Sequence, residues 1–339
     1  MKAYYDPQHE NHHPRFFLVR GERRDSTEVP ERATRLHKAL EVAGHEILMP
    51  RRFGRDPVAA VHSADYLRFL EEAPAAWAAF AGSSPEVIPN VHPNRHEAGG
   101  YPESIVGKAG WHMADTACPI GPKTFEVALA AADVALTAAD AVLGGERAAY
   151  ALCRPPGHHA FADMAGGFCF LNNTAIAAQY LRKHMGPVAV LDVDVHHGNG
   201  TQGIFWQRGD VLTVSVHADP NHLYPFFWGH AGERGGGEGE GANLNLPLPL
   251  GAGDEDFLTA LEVAAEALRA FKPKVLVVAL GLDASEQDPF NGLKVTTGGF
   301  ARIGAAIDSL GLPTVLVQEG GYLSPALGPN LTAVLGAFD

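Results

Sequence analysis

The chain has 339 residues and a formal net charge of −13, which disfavours nucleic acid as a partner because a phosphate backbone attracts a basic surface. An acidic surface would instead attract a small cationic substrate. No apolar run reaches the length of a membrane span, the first residues do not read as a signal peptide, and three cysteines offer no paired disulfide framework, so we expect a cytoplasmic protein that does not bind membranes.

The predicted elements begin with a loop and continue as an alternation of helices and strands. Residues 82–106 are rich in Pro, Gly, Asn and His and are expected to form a long inserted loop. Thr124 is expected to cap the first helix that follows it. Predicted helices cover 125–143, 173–184, 254–271 and 298–310. Predicted strands cover 149–153, 211–216, 275–280 and 314–317, and a further strand covers 187–190 and continues into the segment 191–200. This order predicts an α/β fold of three layers, with a mainly parallel central sheet between helices, in one domain spanning residues 1–339.

Polar segments follow five of the predicted strands. In open α/β sheets, ligands bind beyond the carboxyl ends of the strands. The polar segments are residues 157–159, 194–197, 215–219, 281–283 and 318–322. The sequence therefore predicts one polar site along this edge of the sheet.

The segment 191–200, Leu-Asp-Val-Asp-Val-His-His-Gly-Asn-Gly, carries the most informative pattern. Side chains alternate between the faces of a strand, so Asp192, Asp194 and His196 are expected to project to one side. Two carboxylates and an imidazole in apolar surroundings are costly unless a cation compensates them. Together with Asp283, Asp194 and His196 would supply three ligands and leave open positions, the pattern of a catalytic divalent metal.

Three further side chains are candidates for catalysis of hydrolysis at such a metal. A metal-bound water needs a general base, and the tandem His158 and His159, in a Pro-Gly turn, supply two candidates. Tyr322, which follows two glycines, could donate its hydroxyl to a developing oxyanion.

These motifs resemble those of the histone deacetylase family of the arginase–deacetylase superfamily, and in particular its bacterial acetylpolyamine amidohydrolase branch. The resemblance covers about residues 30–330, in the family order. Its main motifs are Arg154-Pro155-Pro156-Gly157-His158-His159, Gly167-Phe168-Cys169-Phe170-Leu171-Asn172-Asn173, Asp192-x-Asp194-x-His196-His197-Gly198, Gly281-x-Asp283 with Asp288-Pro289, and Glu319-Gly320-Gly321-Tyr322. It implies the arginase/deacetylase fold and a zinc-dependent amidohydrolase that removes an acetyl or short acyl group from an amine.

The resemblance also implies which residues hold metal ions. Asp194, His196 and Asp283 would bind Zn²⁺, with Fe²⁺ as an alternative. A structural K⁺ would lie against Asp192, Asp194, His196, Ser215 and Val216.

Catalytic roles follow from the same resemblance. His159 would act as general base and then as acid to the leaving amine, while His158, oriented by Asp192, would act mainly through its charge. Tyr322 would polarise the scissile carbonyl. Where many family members have an aspartate that hydrogen-bonds the second histidine, this chain has Asn199, which should lower the pKa of His159.

The resemblance also implies how the substrate is recognised. Gly167 and Phe168 would line a tunnel, and the aromatic residues of the segment 224–229, Phe226 and Phe227 among them, would flank a slender aliphatic chain. The 82–106 insert resembles a loop that narrows the site through homodimerisation, which implies a small cationic N-acetylated amine, such as an acetylpolyamine, as substrate. Candidate acids for a substrate ammonium group are Glu86, Glu97 and Glu103, while Val106 stands where related enzymes have an acid.

Three functions remain open at this point. The first is deacetylation of small acetylated amines such as acetylpolyamines. The second is deacylation of acetyl-lysine in proteins or of another amide. The third is metal binding without catalysis, which the intact His158, His159 and Tyr322 disfavour.

Overall fold

The computed structural model describes residues 1–93 and 99–339. Its strands are β1 (Lys2–Tyr4), β2 (Phe16–Val19), β3 (Glu22–Asp25), β4 (Glu46–Leu48), β5 (Ala148–Ala151), β6 (Val188–Asp192), β7 (Val211–Ala218), β8 (Asn243–Leu248), β9 (Val275–Leu280) and β10 (Thr314–Gln318). Its α-helices are α1 (Glu31–Ala43), α2 (Asp56–Ala59), α3 (Ala64–Ala78), α4 (Ile105–His112), α5 (Thr124–Leu143), α6 (Asn173–Met185), α7 (Asn199–Phe205), α8 (Asp254–Phe271), α9 (Thr297–Asp308) and α10 (Leu327–Leu335).

Eight strands form one sheet in the order β4-β1-β5-β10-β9-β6-β7-β8, and every neighbouring pair is parallel. The strands at its centre are continuous apolar runs because helices cover both faces, as is typical of parallel sheets. In β9, for example, Leu276, Val278 and Leu280 pack on one side and Val275 and Val277 on the other. The predicted α/β architecture is thereby confirmed.

The two helical layers divide the core. Helices α1, α8, α9 and α10 pack on one face of the sheet, and α5 and α6 pack on the other. Strands β2 and β3 lie outside the sheet and form an antiparallel hairpin. Within the described ranges, no helix is both long and apolar enough to cross a membrane.

The predicted elements differ from the observed ones mainly at their ends. Helix α5 begins at Thr124 itself, so this residue is not the cap; Lys123 precedes the helix, and no side chain caps it. The Thr124 hydroxyl instead accepts a hydrogen bond from the Gly121 amide, 2.9 Å away. The end of the 82–106 insert is also helical, since α4 begins at Ile105.

Candidate active site

The predicted metal ligands Asp194 and His196 lie beyond the end of a strand, not along it. Strand β6 ends at Asp192, so the expected alternation of side chains does not extend to them. They meet because the chain bends after the strand: Asp194 Oδ1 accepts a hydrogen bond from the His196 amide at 2.9 Å and lies 3.2 Å from His196 Nδ1. The side chain of Asp192 is instead hydrogen-bonded to His158. The expectation that Asp192, Asp194 and His196 project from one face of a strand is therefore wrong.

Asp283 completes this cluster from the neighbouring strand. It follows β9, and its Oδ2 lies 3.3 Å from His196 Nδ1. One ligand atom from each of Asp194, His196 and Asp283 lies within 4.8 Å of the others, and all three residues are buried. Asp283 Oδ2 has no hydrogen-bond partner among the described residues. An unpaired buried carboxylate oxygen is costly, so the cluster fits a divalent cation.

The electrostatics of the cluster support the same conclusion. Burial alone would lower the pKa of His196, but the carboxylates of Asp194 and Asp283 beside it outweigh this effect and raise the pKa to about 9. The two carboxylates therefore create a field that favours positive charge at this point. A metal ion would take the place of the proton, because an imidazole ligand must be neutral.

The two predicted catalytic histidines have different hydrogen-bond partners. His158 Nδ1 donates to Asp192 Oδ2 at 2.9 Å, and His159 Nδ1 lies 2.7 Å from Asn199 Oδ1. Because an amide oxygen can only accept, His159 carries its proton on Nδ1 and leaves Nε2 free to accept another. The ring of His159 packs 4.0 Å from that of His158, centroid to centroid.

The surroundings also separate the pKa values of the two rings. Burial lowers the pKa of His158, but the charges of Asp194 and Asp192 outweigh it and raise this pKa to about 10. Burial and then the positive charges of His158 and His196 hold the pKa of His159 well below its usual range. These opposite shifts favour a charged His158 and a neutral His159, while the catalytic roles expected for the two rings stay predictions.

Replacing Asn199 by aspartate should change the pH dependence of catalysis. A carboxylate stabilises a protonated imidazole more than an amide does, so the pKa of His159 rises. A base with a higher pKa stays protonated, and therefore inactive, up to a higher pH. We expect the acidic limb of the kcat/KM profile to move up by about one pH unit or more. The exposed Asn221→Asp provides a control, and an unmoved limb in N199D would show that His159 is not the titrating base.

Glu319 holds the turn that carries the two histidines, and the sequence analysis gave it no role. It is fully buried directly after β10. Its Oε2 accepts hydrogen bonds from the amides of Gly157 at 2.6 Å and His158 at 3.0 Å, and its Oε1 accepts one from Thr174 Oγ1 at 2.6 Å. The sequence signal that could have indicated this structural role is the position of an acid directly after a buried strand.

Tyr322 is fixed from two sides at the same sheet edge. Its amide donates to Asp288 Oδ2 at 2.9 Å, and the Arg32 guanidinium stacks on its ring at 4.7 Å. Arg32 is itself buried and donates to the Gly321 carbonyl at 2.6 Å. Burial raises the pKa of Tyr322 well above its usual value, so the phenol keeps its proton and can donate it in a hydrogen bond.

Aromatic rings surround the space between Tyr322 and the histidines. The ring of Phe168 lies 5.8 Å from that of Tyr322, and Phe290 lies 4.7 Å from Tyr322 and 5.4 Å from His196. Tyr224 stands edge-on at 4.8 Å from His159. Tyr224 belongs to the aromatic segment 224–229 that was expected to flank the substrate. Phe290 was not predicted, since the segment that carries it is remote from the histidines in sequence.

Gly167 lies where a larger residue would not fit. A Cβ at this position would collide with the imidazole of His159 and touch the Tyr224 ring, and its φ of +50° lies in the left-handed region. We name the space bounded by Gly167, Phe168, Tyr224, Phe290 and Tyr322 the aromatic channel.

The other predicted substrate residues lie outside this channel. Phe226 and Phe227 are 49% and 83% exposed, with Phe226 6.4 Å from the Tyr224 ring. Glu86 is buried and accepts a hydrogen bond from the Arg15 amide at 3.1 Å. Glu103 lines a cleft between α3 and α4. Glu97 falls outside the described residues, and Val106 lies in α4.

The residues predicted to hold K⁺ are neighbours in the sheet. Asp192 at the end of β6 is paired in register with Ser215 of β7, which precedes Val216. Ser215 Oγ lies 2.8 Å from His217 Nδ1. The loop that bears Asp194 and His196 follows directly after β6. The K⁺ ion against these five residues stays a prediction.

Comparison with known proteins finds relatives that match over the whole chain. The family model for the histone deacetylase domain matches residues 26–338. The chain is 47% identical to an acetylpolyamine amidohydrolase of Burkholderia pseudomallei, covering 100% of this chain and 98% of that protein. It is 42% identical to acetylpolyamine amidohydrolase 1 of Pseudomonas aeruginosa, covering 100% and 99%. The crystal structure of acetylpolyamine aminohydrolase from Burkholderia pseudomallei matches with a TM-score of 0.96, over 100% of this chain and 98% of that chain.

Proposed function

The chain belongs to the histone deacetylase family of amidohydrolases, and on that premise we propose that it hydrolyses the amide bond of small acetylated amines of the acetylpolyamine type. The observation that carries the proposal is the meeting of three groups in one buried space: the metal-ligand cluster, the paired histidines and Tyr322. The full-length relatives named as acetylpolyamine amidohydrolases support the substrate class.

We propose Zn²⁺ as the metal, held by Asp194, His196 and Asp283. Such an ion would lower the pKa of a bound water and polarise the acetyl carbonyl. His159 Nε2 then takes a proton from the attacking water and delivers it to the departing amine. Tyr322 donates its hydroxyl to the carbonyl oxygen as negative charge develops there. His158, held in its charged form by Asp192, lowers the energy of that negative charge without giving up its own proton.

We propose that the site favours slender substrates over proteins. The aromatic channel is closely bounded by rings, and a linear aliphatic amine would pass between them. We further propose that two chains associate through the 82–106 insert. Large exposed apolar side chains at and beside the described part of the insert support this association: Phe80, Val91 and Tyr101.

A substrate panel tests the proposed function. The zinc-loaded enzyme should hydrolyse acetylputrescine, acetylcadaverine and acetylspermidine faster than an acetyl-lysine peptide, because a peptide backbone must stay outside the channel. The measurement is kcat/KM for each compound. Turnover of the peptide alone would refute the small-amine proposal, and turnover of no amide at all would refute the enzymatic one.

A further inference from the structure

The loops that follow β9 and β10 carry groups that must act together on the acetyl carbonyl. The two strands are parallel neighbours, so both loops leave the sheet at the same edge. The first loop supplies the proposed metal ligand Asp283, and the second supplies Tyr322. A hydrogen bond to a developing oxyanion tolerates little displacement of its donor. Catalysis therefore requires the second loop to keep a fixed position relative to the first.

The carboxylate of Asp288 connects these two loops. Asp288 belongs to the same loop as Asp283 and is buried, with 5% of its surface exposed. Its Oδ1 accepts a hydrogen bond from the Phe290 amide at 2.9 Å, within its own loop. Its Oδ2 accepts one from the Tyr322 amide, also at 2.9 Å, in the other loop. The two oxygens thus hold the backbone of two residues whose rings bound the aromatic channel.

This contact is the main polar restraint on Tyr322. Within residues 1–93 and 99–339, Tyr322 forms no hydrogen bond other than the one to Asp288. The loop is tied to the metal-ligand cluster two residues earlier, where the Gly320 amide donates to Asp194 Oδ2 at 2.8 Å. Beyond Gly320, the position of the phenol depends on Asp288 and on the contacts of the ring itself.

We propose that Asp288 is a positioning residue for the hydrolysis, which holds Tyr322 where its hydroxyl can donate to the acetyl carbonyl. This assignment rests on the proposed function, since it concerns the donor to the scissile amide. Asp288 acts through Tyr322 and does not itself contact the substrate. Position 288 requires a carboxylate because an asparagine has only one acceptor atom. In Asp288→Asn, one of the two backbone amides would face an NH₂ group.

Asp288→Asn should lower kcat for acetylputrescine by roughly tenfold to 100-fold in the zinc-loaded enzyme, because a displaced donor loses much of its effect. KM should change by less than about threefold, since the phenol acts on charge that develops in the transition state. The measurements are steady-state kinetics, zinc content and thermal unfolding of the variant and the wild type.

Combining this change with Tyr322→Phe shows whether Asp288 acts through the phenol. The Y322F enzyme has no hydroxyl to position, so adding D288N should lower its kcat further by less than about threefold. A general disturbance of the site would instead lower kcat by the same factor in both backgrounds. Asp288→Glu, which keeps both acceptor atoms but moves them one methylene away from the backbone, should show the same non-additive pattern and provides a second variant for the cycle.

Asp133→Asn is the matched control. Asp133 lies in α5, is 8% exposed, and accepts a hydrogen bond from the Phe53 amide at its Oδ1 over 2.9 Å. This variant changes a carboxylate that is about as buried as that of Asp288 and that also binds a backbone amide, but its partner belongs to neither loop. It should leave kcat unchanged in both backgrounds.

The outcomes separate this assignment from the proposed function. Wild-type kcat in D288N, or an equal loss of kcat in the wild-type and Y322F backgrounds, would overturn the assignment alone. Loss of zinc from D288N would also overturn it, because the effect would then arise at Asp283 and not at Tyr322. If the zinc-loaded wild type hydrolyses no acetylated amine, the proposed function fails, and the assignment fails with it.

Discussion

Replacing Tyr322 by phenylalanine is expected to lower kcat by roughly 100-fold to 1000-fold while the protein keeps its fold and its metal. The change removes one hydroxyl that donates to the carbonyl oxygen as charge develops in the transition state. The phenylalanine ring would keep the contacts with Phe168, Phe290 and Arg32, since these involve the ring and not its oxygen.

This prediction is checked by comparing kcat, metal content and thermal unfolding between the variant and the wild type. Tyr180→Phe is a suitable control, because its hydroxyl donates to Asp140 at 2.9 Å on the outer side of the helical layer. It should leave kcat unchanged. An active Y322F enzyme would mean that the phenol plays no part in the chemistry.

Removing the divalent cation is expected to abolish activity and to lower the free energy of unfolding by about 3–4 kcal/mol. This is the stabilisation that a metal provides when it binds only the folded protein and is present at roughly 100 to 1000 times its Kd. Without a cation, the site retains two buried carboxylates close together. Burial and then the charge of Asp194 raise the pKa of Asp283, which shows that its ionised form is unfavourable there. The measurement is denaturant unfolding with and without a chelator, followed by restoration of activity with added zinc.

Asp283→Asn provides the matched variant for this experiment. It removes a metal ligand and at the same time one of the two repelling charges. Its unfolding should therefore be insensitive to the chelator, and it should be at least as stable as the chelated wild type. Equal stability of the wild type with and without chelator would contradict a metal at Asp194, His196 and Asp283.

The sequence patterns predicted the sheet well where strands are long and buried. The run Val275–Leu280 is apolar throughout because both of its faces are covered, and it was recognised with its observed ends. Strands β1 and β4 were missed because each has only three residues, too few to show a period. Thr124 was misassigned as a cap because a threonine before an apolar run fits both the cap and the first helical position.

The sequence patterns indicated the candidate ligands and part of the channel wall, since Gly167 and Phe168 were expected to line it, but not all of that wall. Asp194, His196 and Asp283 follow buried strands, so the edge of the sheet brings them together. Arg32 and Tyr322 meet although 290 residues separate them in the chain, and no local pattern encodes that contact. Phe290 and Tyr224 likewise become parts of the channel only through the folding of two loops.

The carboxylate of Glu319 holds the turn that carries His158 and His159 through backbone amides and not through the imidazole rings. These two hydrogen bonds do not involve the side chain at position 159. A His159→Gln enzyme should keep the channel and the metal ligands in place while lacking the group that moves the proton. Such a variant would suit the capture of an intact substrate for crystallography, in which the atoms beyond the amide could be seen directly.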